Sequence, residues 1–385
     1  MMKANSEKAG ALFPKPVGFS VEYFDPVANS LRAFVLTVFP DRKIQMVYGD
    51  KIFLSKTYAK DLDPTDLYIG GTVVLFSREL SILDYADEST RKYFEGVQSR
   101  GFAVILPSAM DRLGEIVSLI QGGGGDSGGH GRKNRGPSVI SNAKMFRLDG
   151  RKRRLPQVPL LDSVPPQSGF AVALEVILDS RNGGFEDLHG VIDGWDGDGV
   201  HTSGTPVEAA EHARCFFQRG AEHQNQEQTG NSSGINDTGE ACTLCVVKPH
   251  IVREGKLGRL LSLVAQRGFE VAGLQMVNLG EAGAEELLRP YRGVVPYHAA
   301  SVGHLKSGPC VALKVQGGEK VVEEFREACG PADPDVARAL YPESLRALLG
   351  AQQATNAVHC TDLPEDGLLE CQYMFEVVAK GREGP

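Results

Sequence analysis

Short runs of apolar and β-branched residues, separated by turn residues, fill the first quarter of the chain. Six such runs lie between residues 19 and 96, from FSVEYF and LRAFVLTVF to TVVLF and LSILDY. Turn signals such as Gly49-Asp50 and Gly70-Gly71 separate them. This pattern predicts a small β-barrel or roll, followed by a short closing helix over DESTRKYF.

The pattern changes after residue 100. GFAVILPSA predicts a strand and a turn, and the next segment has apolar residues at helical spacing, namely Leu113, Ile116, Val117 and Ile120. Residues 121–168 are rich in Gly, Ser, Pro and basic residues, a composition that buries too little apolar surface to offset chain entropy. We therefore predict that most of 121–168 is a disordered insertion, after which GFAVALEVIL returns as a strand.

Residues 241–379 carry the most regular pattern. CTLCVV, FEVAGLQMVN and PCVALKV predict strands, whereas GKLGRLLSLVAQRG and the segment from Glu319 to Cys329 predict helices. A polar loop, NAVHCTDLPEDG, follows, and CQYMFEVV predicts the last strand. The order β-α-β, helices, β-α, loop, β is typical of the ferredoxin-like, split βαβ arrangement. The fold class predicted for the chain is therefore α+β.

Composition narrows the classes of function. The 385 residues are 42% hydrophobic and 23% charged, with a net charge of −8. This length indicates two or three domains, and the acidic balance argues against bulk binding of nucleic acid. Residues 132–154 hold nine Lys and Arg residues against one acid. This run is either an electrostatic arm for an acidic polymer surface, a nuclear signal or a solvated loop. No apolar run is long enough to span a bilayer, and we expect no membrane partner.

The seven cysteines are scattered along the chain. This distribution favours reduced thiols in an intracellular compartment over a disulfide framework. Cys242 and Cys245 are three residues apart in a predicted strand, where they point to opposite faces. We interpret them as buried structural cysteines, because no second Cys or His pair at zinc-ligand spacing accompanies them.

Candidate chemistry collects in the last domain, at residue types suited to phosphate groups. The possible donors are Lys248, Arg326, Arg346 and Asn356. Such side chains donate hydrogen bonds to phosphate oxygens, and Arg does so bidentately. His359 is a candidate nucleophile, and a carboxylate such as Glu370 could set its tautomer. The alternative is that the arginines are solvated and the polar loop is only structural.

Several segments of 241–379 resemble nucleoside diphosphate kinases. They are VVKPHIVREGKLGRLL, GFEVAGLQM, SGPCVAL, the CGPADP turn and NAVHCTDLPEDG. In that family a histidine takes the phosphoryl group of a nucleoside triphosphate and passes it to a diphosphate. The resemblance implies that His359 carries the phosphoryl group and that Glu370 orients it. It also implies ATP or another nucleoside triphosphate as donor, with Mg²⁺ bridging the nucleotide phosphates.

The resemblance assigns nucleotide-binding roles as well. It implies that Lys248, Arg326 and Arg346 hold the phosphates. It places Asn356 against the ribose and Tyr297 at the position that stacks on the base.

Several positions depart from the family pattern, among them Tyr297, which stands where a base-stacking phenylalanine belongs. Thr361 takes the place of a serine, His250 of an aspartate, and Cys360 of a glycine. Ala332 replaces a threonine that contacts phosphate, and Tyr291 is the nearest candidate for the tyrosine that contacts the histidine. Loss of a single donor to the transition state costs on the order of 10²–10³ in rate. The resemblance therefore implies either a working kinase or a catalytically weak one.

Residues 98–223 resemble the same family in degenerate form. Leu106 stands where the lysine belongs, and His201 keeps the spacing of the histidine to the final segment. Asp198 replaces the asparagine, and His212 replaces the glutamate. We expect this domain to pack or dock rather than to catalyse.

The remaining boundaries follow from these domains. Residues 1–15 are predicted to be a tail, 224–240 a polar linker, and 241–380 the kinase domain. Residues 16–97 contain EYFDP, RAFVLTVFPD and TVVLFSRELSILDYADESTRKYF. These segments resemble the DM10 module, which occurs in proteins of cilia and flagella and is likened to a pleckstrin-homology barrel. The order of one such module followed by two kinase-like domains extends the resemblance to nearly the whole chain. This wider resemblance implies an axoneme-associated cytoskeletal protein with tubulin or axonemal microtubules, and the gamma-tubulin ring complex, as partners. The alternative function is thus a structural microtubule-binding component, inside the axonemal doublet.

Overall fold

The computed structural model describes residues 12–25, 30–60, 62–69, 71–76, 78–122, 138–148, 168–179, 188–190, 192, 198–217 and 240–379. The chain forms two compact units, Met1–Gly96 and Val97–Pro385. Within the described residues, no helix has the length and apolar character needed to cross a membrane.

The first unit is a curled antiparallel sheet. Its strands are β1 Val17–Asp25, β2 Ser30–Val38, β3 Lys43–Tyr48, β4 Lys51–Tyr58, β5 Thr72–Leu75 and β6 Arg78–Tyr85. The sheet order is β4-β3-β2-β1-β6-β5. Helix α1 (Glu88–Val97) follows, and Phe94 packs on Phe19 with ring centroids 5.4 Å apart. The prediction of a β-rich unit closed by a helix is confirmed, because alternate strand residues are apolar and buried.

The second unit is built on one eight-stranded sheet. Its strands are β7 Gln98–Ile105, β8 Val139–Leu148, β9 Gly169–Asp179, β10 Val200–Thr202, β11 Cys242–Val247, β12 Glu270–Val277, β13 Cys310–Gln316 and β14 Val358–Cys360. Their order is β10-β7-β9-β8-β12-β13-β11-β14. The order of the first four strands mirrors that of the last four, and the halves join where Lys144 pairs with Gln275.

Helices cover the two faces of this sheet. They are α2 Leu113–Ile120, α3 Pro206–Phe217, α4 Pro249–Arg253, α5 Leu257–Gln266, α6 Glu281–Leu287, α7 His298–Leu305, α8 Val321–Cys329, α9 Pro334–Leu340, α10 Leu345–Leu349 and α11 Gly367–Gln372. The mixed helix and sheet composition confirms the predicted α+β class.

Two of these helices repeat a short motif. LGEIVSLI in α2 and LGRLLSLV in α5 share the pattern Leu-Gly followed by Ser-Leu. A Cβ atom at Gly114 would lie 2.3 Å from the Ser262 nitrogen, and one at Gly258 would lie 2.2 Å from the Ser118 nitrogen. The two glycines therefore allow the backbones of α2 and α5 to cross in contact, which joins the two halves.

We expect Gly258→Ala to destabilise the second unit by about 2 kcal/mol, because the added methyl meets backbone atoms of α2 that cannot rotate away. The measurement is chemical unfolding followed by circular dichroism. Gly303→Ala is the matched control, since a Cβ there meets nothing within 4 Å and alanine favours a helix. Equal stabilities of the two variants would contradict the crossing argument.

The structure corrects the prediction of a disordered insertion over 121–168. Residues 139–148 form β8, which lies inside the sheet with Ile140, Ala143, Met145 and Leu148 buried. The sequence pattern did not reveal the apolar face of this strand, because Gly- and Pro-rich segments on both sides of it dominate the composition of 121–168. Residues 123–137 and 149–167, like most of the 224–240 linker, lie outside the described residues.

Two further predictions in the last domain are wrong. CQYMFEVV is not a strand, since it forms the end of α11 and a π-helical segment, Tyr373–Val378. Its apolar residues Cys371, Met374, Phe375 and Val378 have helical spacing, which the β-branched and aromatic composition concealed. The predicted loop around His359 contains strand β14 instead.

Candidate active site

A cavity of about 550 Å³ opens in the half that contains β11 and β14. This volume lies within the range of small-molecule sites. Six of the eight predicted site residues line it: Lys248, Tyr297, Arg326, Arg346, Asn356 and His359. The other two, Thr361 and Glu370, contact each other behind the histidine.

His359 is placed by a strained turn that leads into β14. Ala357 has φ of 72°, and the Val358 amide donates to the Asn356 carbonyl at 3.0 Å. This is the hydrogen bond of a γ-turn, whose positive-φ form is rare and costly. β14 then pairs with β11, so that His359 lies opposite Val246. The side chain is only 6% exposed.

A short chain of polar contacts orients the histidine. The Nε2 atom of His359 lies 3.7 Å from Oε2 of Glu370 and has no hydrogen-bond partner among the described residues. Thr361 donates its hydroxyl proton to Glu370 Oε2 at 2.8 Å and accepts the Leu244 amide at 3.0 Å. The threonine thus keeps the hydroxyl function of the serine it replaces. The carboxylate faces Nε2 and leaves Nδ1 for chemistry.

Two buried donors are held by backbone carbonyls. Lys248 Nζ donates to the Ala354 carbonyl at 2.9 Å, and Arg346 donates to the carbonyls of Gly330 and Val358 at 2.6 and 3.2 Å. Burial, together with the nearby Arg346 charge, lowers the pKa of Lys248 to about 7. A phosphate group would favour the charged ammonium and reverse this shift.

Proton uptake should therefore accompany binding of a nucleotide above pH 7. We expect up to about one proton to be taken up at pH 8 and the affinity to fall as pH rises from 7 to 9, because neutral Lys248 must be charged first. Calorimetric titration with ADP in two buffers of different ionisation enthalpy measures this uptake. Lys248→Gln should abolish it, and a variant that still takes up the proton would assign it elsewhere.

Asn356 supplies both a donor and an acceptor to the site. Its Nδ2 atom donates to the Ala332 carbonyl at 2.8 Å. Its Oδ1 atom is buried and lacks a hydrogen-bond partner among the described residues. A buried orphan acceptor is suited to a hydroxyl group of a ligand, such as that of a ribose.

Arg326 is the exposed cation of the site and is tied to a residue that the sequence analysis did not single out. It donates to the Asp362 carbonyl at 2.9 Å, and its Nη2 lies 3.4 Å from Asp362 Oδ1. The Tyr291 hydroxyl donates to the other carboxylate oxygen, Oδ2. The Tyr291 ring is edge-on to His359 at 6.2 Å, as expected of the tyrosine that contacts the histidine. Asp362 lies three residues after His359 in the NAVHCTDLPEDG loop. This proximity was the sequence signal that could have identified it as a site residue.

His250 lies outside the cavity and pairs with another histidine. Its Nδ1 is 2.8 Å from Nε2 of His304. Burial lowers the pKa of His250 to about 4 and that of His304 to about 3, and each charge would also repel the other. The aspartate expected here is thus replaced by one half of a neutral imidazole pair.

This pair should make the second unit sensitive to acid. Both folded-state pKa values lie below the unfolded value of 6.5, so the unfolded chain binds more protons between pH 6.5 and 4, and stability falls as pH falls. We expect a loss of about 4 kcal/mol between pH 7 and 5, about 2 kcal/mol from each imidazole. The free energy of unfolding, measured across this pH range, should depend less steeply on pH in His304→Gln than in the wild type. An unchanged slope in that variant would contradict the assignment.

The other half repeats the framework of the site without its donors. His201 lies opposite Val104 in β10 and β7, the register that His359 has with Val246. Ser203 Oγ lies 2.6 Å from His212 Nδ1, as Thr361 contacts Glu370. Leu106 occupies the position of Lys248 and is 1% exposed. An apolar side chain cannot bind phosphate, so the fold is kept here without the chemistry.

Comparison with known proteins places this geometry in context. A family model described as nucleoside diphosphate kinase matches residues 241–379. Nucleoside diphosphate kinase homolog 7 of Rattus norvegicus is 35% identical over 94% of this chain and 93% of its own length. The nucleoside diphosphate kinase of Aquifex aeolicus is 35% identical over 34% of this chain and 92% of its own length. An orthorhombic crystal structure of an Aquifex aeolicus nucleoside diphosphate kinase is 33% identical and covers 35% of this chain and 94% of that chain, with a TM-score of 0.33.

Proposed function

The chain belongs to the nucleoside diphosphate kinase homolog 7 family, and from this premise we propose that its C-terminal domain, residues 241–380, transfers a phosphoryl group from a nucleoside triphosphate to a nucleoside diphosphate. One observation carries the proposal. Glu370 faces Nε2 of His359 while Lys248, Arg326 and Arg346 line the cavity that the ring borders. This arrangement combines an oriented nucleophile with donors for phosphate oxygens.

The transfer proceeds in two displacements at phosphorus. Nδ1 of His359 forms a bond to the γ-phosphorus as the bond to the bridging oxygen breaks, and the nucleoside diphosphate leaves with that oxygen. Glu370, held by Thr361, stabilises the positive charge on the phosphorylated ring. The cations stabilise the transferring group and position it in line. A second diphosphate then attacks the phosphohistidine and restores the free ring.

The expected Mg²⁺ has no cage of protein ligands in the part of the chain that the structure describes, where no group of three His, Cys, Asp or Glu side chains could hold a metal ion. The cavity is lined by cations and amides and by the separate carboxylates of Glu323, Glu327 and Asp362. A magnesium ion that arrives with the nucleotide would be held by phosphate oxygens, and when bound it neutralises their charge. The residues fit such a nucleotide-borne ion.

The test is transfer of labelled γ-phosphate from ATP to the purified full-length chain. We expect an acid-labile label that moves to added GDP, since phosphohistidine is labile in acid. Folded protein that takes up no label would overturn the enzymatic proposal. Slow but measurable transfer would fit the loss of the threonine donor at Ala332.

The half that contains His201 favours a second function. It keeps the kinase framework but not the phosphate donors, and such a domain is suited to docking. We propose that this half and the DM10-like unit attach the protein to tubulin or axonemal microtubules in cilia and flagella, and to the gamma-tubulin ring complex. Co-sedimentation of the full chain with polymerised microtubules tests the attachment, and fluorescence microscopy of ciliated cells tests the location. His359→Ala should co-sediment as well as the wild type, whereas failure of both proteins to bind would overturn the docking proposal.

A further inference from the structure

Three cysteine side chains meet beneath the phosphate site. Cys245 in β11 lies directly opposite Cys360 in β14, so their Cβ atoms lie on the same face at short range. Cys329 is the last residue of α8. All three belong to one buried core cluster, at 0%, 2% and 0% exposure for Cys245, Cys360 and Cys329. None of them has a role in the proposed transfer reaction.

Cys360 differs from the other two in its contacts. The Cys329 thiol donates a hydrogen bond to the Cys360 sulfur, and Arg346 Nη2 donates to the same atom at 3.7 Å. Two donors directed at one sulfur are the surroundings of a thiolate. The hydrogen bond from Cys329, with the Arg346 charge adding to it, lowers the pKa of Cys360 below that of an ordinary thiol, although burial opposes this. Burial raises the pKa of Cys329, which stays a thiol.

We propose that Cys360 and Cys329 form a reversible oxidation site, which hydrogen peroxide converts to a disulfide and which thereby controls Arg346. The control of activity rests on the proposed function, whereas the disulfide itself does not. Arg346 contacts the Cys360 sulfur and also lines the cavity. Arg346 therefore connects the reactive sulfur to the cavity.

The chemistry balances with peroxide as the oxidant. The Cys360 thiolate attacks one peroxide oxygen, the O–O bond breaks, and Cys360 becomes a sulfenic acid as hydroxide leaves. The Cys329 sulfur then attacks the oxidised sulfur, its proton combines with the leaving hydroxyl, and water departs. Two thiols and one hydrogen peroxide thus yield one disulfide and two waters. A sulfur already hydrogen-bonded to its partner needs little movement to close this bond.

Oxidation should weaken the phosphate site. The disulfide sulfur carries no charge, so Arg346 loses its anionic contact, and the bonded sulfur displaces the guanidinium from its contact with Cys360. The new bond also ties α8, which carries Arg326, to the strand that carries His359. We expect kcat/KM for phosphoryl transfer to fall about tenfold on oxidation and to recover on reduction.

A second pair of thiols supplies an internal control. The Cys371 thiol donates a hydrogen bond to Cys242, and this bond together with burial raises the pKa of Cys371. This pair belongs to a different core cluster from the first, and no arginine is among the groups that shift its pKa. Proximity alone would oxidise both pairs, whereas a thiolate beside a guanidinium would oxidise only Cys329–Cys360.

The experiment maps disulfides in the folded full-length chain. The protein is treated with hydrogen peroxide, free thiols are alkylated, and the digest is analysed by mass spectrometry with and without prior reduction. We expect a Cys329–Cys360 cross-link that reductant removes, with Cys242 and Cys371 still alkylated. Cys329→Ala removes the resolving thiol, so a dimedone adduct should accumulate at Cys360 instead. Wild-type mapping stands even where this variant fails to fold.

Other outcomes overturn the inference. An absent cross-link, a cross-link from Cys360 to Cys245, or equally fast oxidation of Cys242 and Cys371 would each reject it. Unchanged kcat/KM in fully cross-linked protein would reject the control of Arg346. If the reduced protein shows no phosphoryl transfer, this result contradicts the proposed function. The presence or absence of the Cys329–Cys360 cross-link still tests the oxidation site by itself.

Discussion

His359→Ala should abolish formation of the phosphoenzyme and reduce kcat/KM for phosphoryl transfer by at least about 10⁴-fold, because His359 is the cavity histidine that a carboxylate faces, whereas Nε2 of the cavity residue His298 contacts the Leu288 carbonyl. The ring is almost completely buried, and its Nε2 atom lies 3.7 Å from Glu370 Oε2. Removing it leaves Lys248, Arg326 and Arg346 in place. The variant should therefore still bind ADP, as calorimetry can establish, while transfer of γ-phosphate from ATP to GDP is lost.

His201→Ala is the matched control for this experiment. His201 has the equivalent strand position in the other half, but Leu106 stands where Lys248 stands in the kinase half. We expect the control to label as strongly as the wild type. Retained labelling of His359→Ala together with loss in His201→Ala would reverse our assignment of the two halves.

Arg346→Lys should reduce kcat/KM by about 10²–10³, the second largest effect that we expect. The guanidinium of Arg346 donates hydrogen bonds to the backbone carbonyls of Gly330 and Val358, and the side chain also lines the cavity. Lysine keeps the charge but has neither the planar fork nor the reach to make both contacts. The carbonyl of Val358 lies next to His359, so the loss should appear in kcat as well as in KM.

Arg338→Lys is the control for the loss of an arginine. Arg338 also donates to a backbone carbonyl, that of Gly350, but its side chain is 44% exposed and pairs with Asp335. Exposed pairs of this kind contribute about 0–1 kcal/mol. Steady-state kinetics on both variants, with unfolding curves to show that each is folded, separates a local effect from a general one. A comparable loss in the control would contradict the role given to Arg346.

The site combines residues that are close in sequence with residues that are not. The segment from Asn356 to Thr361 supplies the ribose contact, the nucleophile and the hydroxyl that holds Glu370. Its geometry depends on β11, since the Leu244 amide donates to Thr361 and the Ala357 carbonyl accepts the Lys248 amide. Positive φ at Ala357 is tolerated because these contacts determine the backbone on both sides.

Pattern and residue type were sufficient for part of this result. The period of apolar residues predicts β11, α5 and β13 because each element buries one face or both. The types at Lys248, Arg346, Asn356 and His359 are suited to phosphate chemistry, and the resemblance to nucleoside diphosphate kinases assigned each its role. The sequence also indicated that the half containing His201 is degenerate, since Leu106 cannot replace a lysine.

Tertiary structure decided the rest. The chain after Glu370 forms a helix and not the predicted strand, and residues 139–148 form a strand in a segment predicted to be disordered. Both outcomes depend on packing against residues far along the chain. The same is true of the α2–α5 crossing, which needs Gly114 and Gly258 together, and of the contact of Cys329 and Arg346 with Cys360. By itself the sequence determined which chemical groups the protein has and where its regular elements form, because both depend on local residue identity and period. Which of those groups meet was decided by folding, because contacts between distant residues follow from the packing of whole elements and from no local pattern.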